Sequence, residues 1–340
     1  MSMTITNTMS SLFRHKQLLF FLMPVLVLFV SPVHAEWFQE HRPIMGTRIT
    51  VELQLDDAAK AGQCKEAVFK EMQRIDALMS PYKEDSELAQ INREAAKHPV
   101  KISPELYSLI ERAQYFSKLS HGAFDITFAS VGYLYDYREH IHPSDEVIRE
   151  HLSAINYRHI QLNPEDLSIH FDKPGVRIDL GGIAKGYAVD NGIRILQECG
   201  VQNGLVSAGG DSRIIGDKGG RPWMMGIQHP RQKPGVAVVL PLSNTAISTS
   251  GDYERFLIEN GQRYHPIISP STGKAVSDTI SASVIGPDAT STDALSTTLF
   301  VLGAARGLEL IETLPGFDAI IIDAQGKMYY SSGLQAPKEK

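Results

Sequence analysis

Two cysteines, Cys64 and Cys199, are all that a chain of 340 residues contains, and neither sits in a CxxC or other ligand spacing. No cysteine-built metal centre is indicated. A disulfide is open to them in an oxidising compartment, but both fall in helical stretches, where two separately buried small side chains are the expected reading. Positive charge is scarce as well: 33 Lys and Arg face 39 Asp and Glu, for a net charge of −6. Proteins that bind nucleic acid concentrate basic residues on one face, so no nucleic-acid partner is expected. Beyond residue 35 no apolar run is long enough for a bilayer span, which needs about 20 residues. Internal repeats, low-complexity tracts and linkers are absent, and so are the Walker P-loop and the Rossmann GxGxxG pattern.

The first 35 residues are of another kind. A basic patch at Arg14–Lys16 precedes the apolar run LLFFLMPVLVLFV, and SPVHA ends at Ala35, the layout of a secretory signal with a small-residue cleavage site. Pro24 interrupts the run, and no cysteine follows it to carry a lipid anchor. Cleavage near Ala35 is expected to leave 36–340 as a single soluble periplasmic domain. Losing Arg14 and Lys16 with the leader takes its charge to −8.

Along that domain the periodicity switches irregularly between strand and helix. TRITVELQL reads as a strand, and AGQCKEAVFKEMQRIDALMS as a helix with Val68, Met72, Ile75 and Met79 on one stripe. Ser103 and Pro104 open a second helix by cap and first-turn proline. IQLNPEDLSIHF, NGLVSAGG, WMMGIQ and ISASVIG read as strands, TDALSTTLFVLG as a helix, and the last hairpin turns near Ala324–Gly326. The pattern is α+β rather than a βαβ series.

One segment poses a physical question. VRIDL, Val176–Leu180, reads as a buried strand, and two glycines then turn the chain into an amphipathic helix with Ile183, Tyr187, Ile193 and Leu196 available for its inner face. Lys185 thereby falls in the first turn, where the helix dipole opposes a cation. It needs a negative partner, and the bare Gly181–Gly182 backbone suggests that a diphosphate or its metal ion approaches there. Further on, Ser291 or Thr292 is a natural N-cap, which puts Asp293 and Thr297 at i and i+4 on one helical face. A carboxylate with a hydroxyl suits magnesium shared with phosphate. The alternative is that Asp293 only offsets the dipole. Asp125 in GAFDIT, Tyr82 in MSPYKEDSEL and the loop YHPIISPSTGKAV could each be ordinary turn material.

In order and spacing, IMGT, MSPYKEDSEL, GAFDIT, DLGGIAKGYAVD, AISTSGDYERF, ISPSTGKAV and TDALSTTLFVLG together resemble the FAD:protein FMN transferases of the ApbE family, over nearly all of 36–340. The resemblance implies two α/β lobes with FAD between them. It also implies a magnesium-dependent enzyme that passes the FMN half of FAD to a Thr or Ser hydroxyl of an acceptor flavoprotein, a subunit of an electron-transfer complex, and releases AMP. Position by position it implies a flavin-nucleotide site of Met45, Tyr82, Ala123, Phe124, Asp125, Asp179, Lys185 and Ile268. The implied metal site is the Gly182 carbonyl, Asp293, Ser296 and Thr297. One departure stands out: many members have a histidine four residues before the proline of an H-I-x-D-P segment, where this chain has Pro266, with Ser269 in the aspartate position. His265, displaced by one, is the candidate base, with Asp179 or solvent on Asp293 as substitutes. Two other readings stay open, an exported FAD pyrophosphatase and a non-catalytic flavin carrier.

Overall fold

The computed structural model describes residues 36–335 apart from 138, 140, 233, 254, 255, 260 and 261, so the leader read from the sequence lies outside the described residues. Numbered in chain order, the main sheet is entirely antiparallel. Its spatial order is β1 (Glu36–Ile44), β2 (Thr47–Leu55), β6 (Gly204–Ala208), β7 (Asp211–Ile215), β10 (Ala246–Gly251), β13 (Thr279–Gly286), β14 (Asp318–Asp323) and β15 (Met328–Tyr330). The period-two pattern of TRITVELQL explains β2: Ile49, Val51 and Leu53 are fully buried on one face, while Thr50 and Glu52 point away.

That face is covered by α1 (Ala58–Met79), α6 (Ala184–Glu198) and α7 (Ala289–Ile311), with α6 packed against both of the others. Asp57 caps α1 by accepting from the Ala59 and Lys60 N–H groups, and the predicted stripe Val68, Met72, Ile75 and Met79 is buried. The opposite face is partly covered by the ribbon β8 (Trp223–Gln228) and β9 (Val236–Leu242), whose Ile227 meets Ile247 and Ile320.

A smaller sheet, ordered β3 (Val100–Lys101), β5 (Ser168–Phe171), β4 (Ile160–Asn163), goes with α2 (Glu87–Glu94) and α3 (Pro104–Leu119). Beyond it lie two short helices, α4 (Ala129–Gly132) and α5 (Asp145–Leu152), and the hairpin β11 (Leu257–Glu259) and β12 (Gln262–Tyr264). The fold is α+β. Leu106, Ile169 and Phe171 of the smaller part belong to the same hydrophobic core as Val206 and Leu299 of the larger, so the two parts share one continuous core.

Three sequence expectations need correction. Val176–Leu180 is alternately buried but is no strand. Its main chain is paired by side chains instead: Asn92 both donates to and accepts from Ile178, Ser130 does the same for Arg177, and Asp179 N–H goes to the Ile126 carbonyl. Secondly, α7 is 23 residues long with a mean hydropathy of 1.4 in its most apolar window, enough by length and composition to cross a membrane. Here it is a core helix, with Ala294, Leu295, Leu299 and Phe300 buried and a break at Gly303 (φ 75°). Thirdly, Cys64 and Cys199 are bonded to each other, joining α1 to the end of α6 across 135 residues of sequence. Each is on its own helix, and only the packing of α1 on α6 brings the Cα atoms to 6.2 Å.

A cross-link closing so long a loop restricts the unfolded chain strongly and contributes about 2–5 kcal/mol. Reduction, or the C64S/C199S double variant, is expected to lower Tm by about 3–8 °C for a domain of this size. Calorimetry with and without dithiothreitol measures this.

Candidate active site

The site is built where α6 and α7 begin. Four N–H groups at a helix start lack intrahelical partners, and in α7 all four are satisfied. Asp190, reaching across from α6, accepts from the N–H of Ala289 (2.9 Å) and of Thr290 (2.9 Å), while Asp288 caps Ser291 with its side chain (2.8 Å) and Thr292 with its carbonyl (3.2 Å). The cap is therefore Asp288 rather than Ser291 or Thr292, and Asp293 lies in the second turn. It does share a face with Thr297, and that face borders the stretch 182–186. A Cβ at Gly186 would run into the Ala289 carbonyl, and one at Gly182 would stand 3.3 Å from Thr297 Oγ1 and 3.2 Å from the Phe124 ring. Glycine at these two positions lets the helix starts touch.

Lys185 finds its negative partners inside the protein. Nζ lies 2.6 Å from Asp211 Oδ2 and 3.3 and 3.4 Å from the two oxygens of Asp293. Although 30% of the lysine side chain is exposed, the two carboxylate side chains are only 2% and 3% exposed. Burial works against the ammonium, but the attraction of Asp211 and Asp293 outweighs it and raises the Lys185 pKa. Asp293 also accepts from Gly186 N–H at 3.0 Å, which makes it the anion at the positive end of α6. Most of the backbone donors expected to meet a phosphate are occupied internally: Gly181 N–H by Asp179, and Ile183 and Ala184 N–H by the Leu180 carbonyl.

Two buried carboxylates share one cation, so the cluster holds either a spare negative charge or a proton. Burial, and then the charge of Asp211, push Asp293 up to about 7 against the pull of Lys185 and Gly186. One turn further along α7, hydroxyls gather. Ser250, on β10, lies 2.9 Å from Ser296 Oγ and 3.1 Å from Thr297 Oγ1. Sequence reading missed Asp211 and Ser250. The Gly-Gly-Asp turn after NGLVSA and the serine in AISTSG were the available signals, but neither shows which helix it will face.

The remaining expected residues surround this centre unevenly. Phe124 packs on Gly182, and Ala123 is half-buried beside it. Met45 and Gly46 form the β1–β2 turn with φ of 55° and 65°, and the main-chain carbonyl of Arg48 just beyond accepts from Gly209 N–H, next to Gly210 and Asp211 in the chain. Asp179 is part-exposed next to Gly181. Asp125 is committed to structure: its oxygens accept from Thr127 N–H and hydroxyl and from Tyr157 N–H, while burial raises its pKa. Tyr82, 88% exposed, occupies the turn between α1 and α2, and Ile268 is buried in a satellite cluster with Val131, Tyr135 and Ile148.

His265 does not fit the role of base. It is buried, Nε2 donates to the Val276 carbonyl at 2.8 Å, Nδ1 accepts from Ile267 N–H at 3.3 Å, and the ring stands edge-on to Phe300. No lone pair is left for an incoming proton, and burial lowers its pKa.

Two outcomes follow from this geometry. Lys185→Ala leaves Asp211 and Asp293 facing each other without a cation and should cost about 2–3 kcal/mol, below the usual loss for a broken buried pair because a proton can take the place of the ammonium. Urea denaturation reads it, in contrast to the stabilising relief of the dipole that the sequence alone suggests. His265→Ala should lower Tm by a few degrees through lost packing and hydrogen bonds while leaving turnover within about 10-fold, well short of losing a general base.

The sequence matches the ApbE family over residues 45–321. An FAD:protein FMN transferase of Treponema pallidum is 32% identical over 297 residues, covering 82% of each chain, and one of Escherichia coli K12 is 30% identical over 300 residues, covering 84% of each. Among solved structures, the ApbE protein of Thermotoga maritima superposes with a TM-score of 0.81 at 33% identity, covering 90% of this chain and all of that one. The flavin transferase ApbE of Vibrio cholerae gives 0.79 at 27%, covering 88% and 98%. With the α6–α7 site inside the matched residues, the chain belongs to the ApbE family, the family of these flavin transferases.

Proposed function

We propose that the chain transfers the FMN half of FAD to a threonine or serine hydroxyl of an acceptor flavoprotein, with magnesium, in the periplasm. The carrying observation is the meeting of Lys185, Asp293, Gly182 and Thr297 at one helix contact in a member of this family. In the reaction the acceptor oxygen bonds to the phosphorus of the FMN half, the bond from that phosphorus to the AMP phosphate breaks, and AMP leaves with the electron pair. The hydroxyl proton must go to a base. With His265 engaged, part-exposed Asp179 is the carboxylate that suits this role.

The residues present fit magnesium. Asp293, the Ser296 and Thr297 hydroxyls and the Gly182 carbonyl are hard oxygen donors, and the cluster has a spare charge or a displaceable proton. Bound there, the ion would neutralise phosphate charge as the bond to AMP breaks. Lys185, held charged by two carboxylates, adds a fixed positive charge beside the same groups. Export is supported by the leader-like first 35 residues and by the Cys64–Cys199 bond, which suits an oxidising compartment. An electron-transfer subunit is the acceptor class that the reading favours.

The test is incubation with FAD, magnesium and a candidate acceptor, reading in-gel flavin fluorescence and AMP. A fluorescent acceptor band with stoichiometric AMP is expected. AMP and free FMN without a labelled acceptor would mean a pyrophosphatase instead, and neither product would mean a carrier.

Asp293→Asn should fold, since Asp211 still pairs Lys185, and lose transfer by about 100-fold or more, the scale of removing one main electrostatic contact. Excess magnesium should recover part of it and manganese more. pH acts through the same residue. The folded chain holds a proton on Asp293 up to about 7, against 3.8 as its ordinary value, so metal-free stability declines as pH rises through that window. Magnesium must displace that proton, so its stabilising effect on Tm should be larger at pH 8 than at pH 6.

A further inference from the structure

Asp211 has no place among the expected ligands, yet it makes the shortest contact in the cluster. Its position is fixed by backbone pairing on both sides, to Ala208 of β6 and Ser248 of β10, at the exit of the Gly209–Gly210 turn. Its carboxylate is 1% exposed by residue and 2.6 Å from Lys185 Nζ, whereas Lys185 reaches Asp293 only at 3.3 and 3.4 Å, split between both oxygens. Two other cations are committed to other carboxylates, Arg213 to Asp190 and Arg112 to Asp288. Asp211 and Asp293 therefore compete for one ammonium, and the distances say that Asp211 holds it.

We propose that Asp211 is a positioning residue for the transfer reaction: it anchors Lys185 against the sheet and so limits the lysine's hold on the Asp293 oxygens to the long, split contacts of 3.3 and 3.4 Å, which a divalent ion can displace. Without the Asp211 charge the part-exposed lysine has a single carboxylate left. It closes on Asp293 and occupies the oxygens that the ion would use. The turn at Gly209–Gly210 and the strand pair around it thus serve the metal side of the site without touching the ion. This rests on the magnesium reading given above, and the experiment separates the two.

Binding is measured without turnover, by titrating Mn²⁺ into the chain and following the electron paramagnetic resonance signal of free Mn²⁺, with thermal denaturation as the check on folding. Asp211→Asn should bind Mn²⁺ about 10-fold or more weakly, the range expected for residues that support a ligand. Asp211→Glu keeps the charge but not the 2.6 Å contact, and should be several-fold weaker than the parent chain by the same reasoning. The double variant Asp211→Asn with Lys185→Met, which removes the competing ammonium, should recover most of the affinity. The proposal is overturned by parent-like binding in Asp211→Asn. It is equally overturned by parent-like binding in Asp211→Glu beside a weak Asp211→Asn, which would mean charge at a distance alone, or by a double variant as weak as Asp211→Asn. A parent chain that binds no Mn²⁺ at millimolar concentration removes the magnesium reading itself, and the proposal with it.

Discussion

One ammonium between two buried carboxylates ties together the elements on which the site depends. Lys185 belongs to α6, Asp211 to β7 and Asp293 to α7, so a single cation connects two helices and the central sheet. Buried charges are tolerated only when paired and hydrogen-bonded. Here the pairing is incomplete by one charge, and burial, joined by the charge of Asp211, holds Asp293 above an ordinary carboxyl. A packed apolar contact could hold α6 on α7 equally well. The imbalance has a chemical use instead, since it favours whatever brings positive charge to the α6–α7 contact.

The same contact explains the glycines and caps around it. Helices approach this closely only where side chains are missing, and Gly182 and Gly186 supply the gap facing Thr297 and Ala289. Asp190 closes the arrangement from the other side. It pairs with Arg213 at 2.7 Å and takes the first two N–H groups of α7, so the start of α7 is locked to α6 and to the sheet together. Behind the contact, Val189, Ile193, Leu299 and Phe300 belong to the core that runs through both sheets. The polar site thus stands on a rigid apolar base, as a preorganised electrostatic site requires.

Irregular backbone feeds this site from the smaller part of the fold. Val176–Leu180 carries Asp179 toward Gly181 with its main chain held by Asn92 and Ser130 rather than by a ladder. The GAFDIT segment is fixed in turn by Asp125, whose carboxylate organises a 3-10 turn and the Tyr157 N–H, and this places Phe124 on Gly182. Residues that look like ligands in sequence can act one step removed, by holding the residue beside the site.

Local periodicity and capping chemistry were legible from the chain itself. The strand of β2, the stripe of α1, the Ser103–Pro104 start of α3, the closing hairpin and the α+β class all follow from side-chain spacing and turn residues, which act over a few positions. The motif order was legible too, and with it the family; Gly182, Lys185, Asp293 and Thr297, named from those motifs, come together at the α6–α7 contact. The need of Lys185 for an anion could be deduced, but not its identity. Asp211 lies 26 residues away and Asp293 108, and a contact at that separation is set by how β7 and α7 pack on α6. Cys64 and Cys199, 135 residues apart, were undecidable for the same reason, as was the loss of His265 to Val276 and Phe300. Sequence determined which elements form and which chemical groups they carry; tertiary packing alone decided which charges meet, because Coulomb and hydrogen-bond energies depend on distance in space and not along the chain.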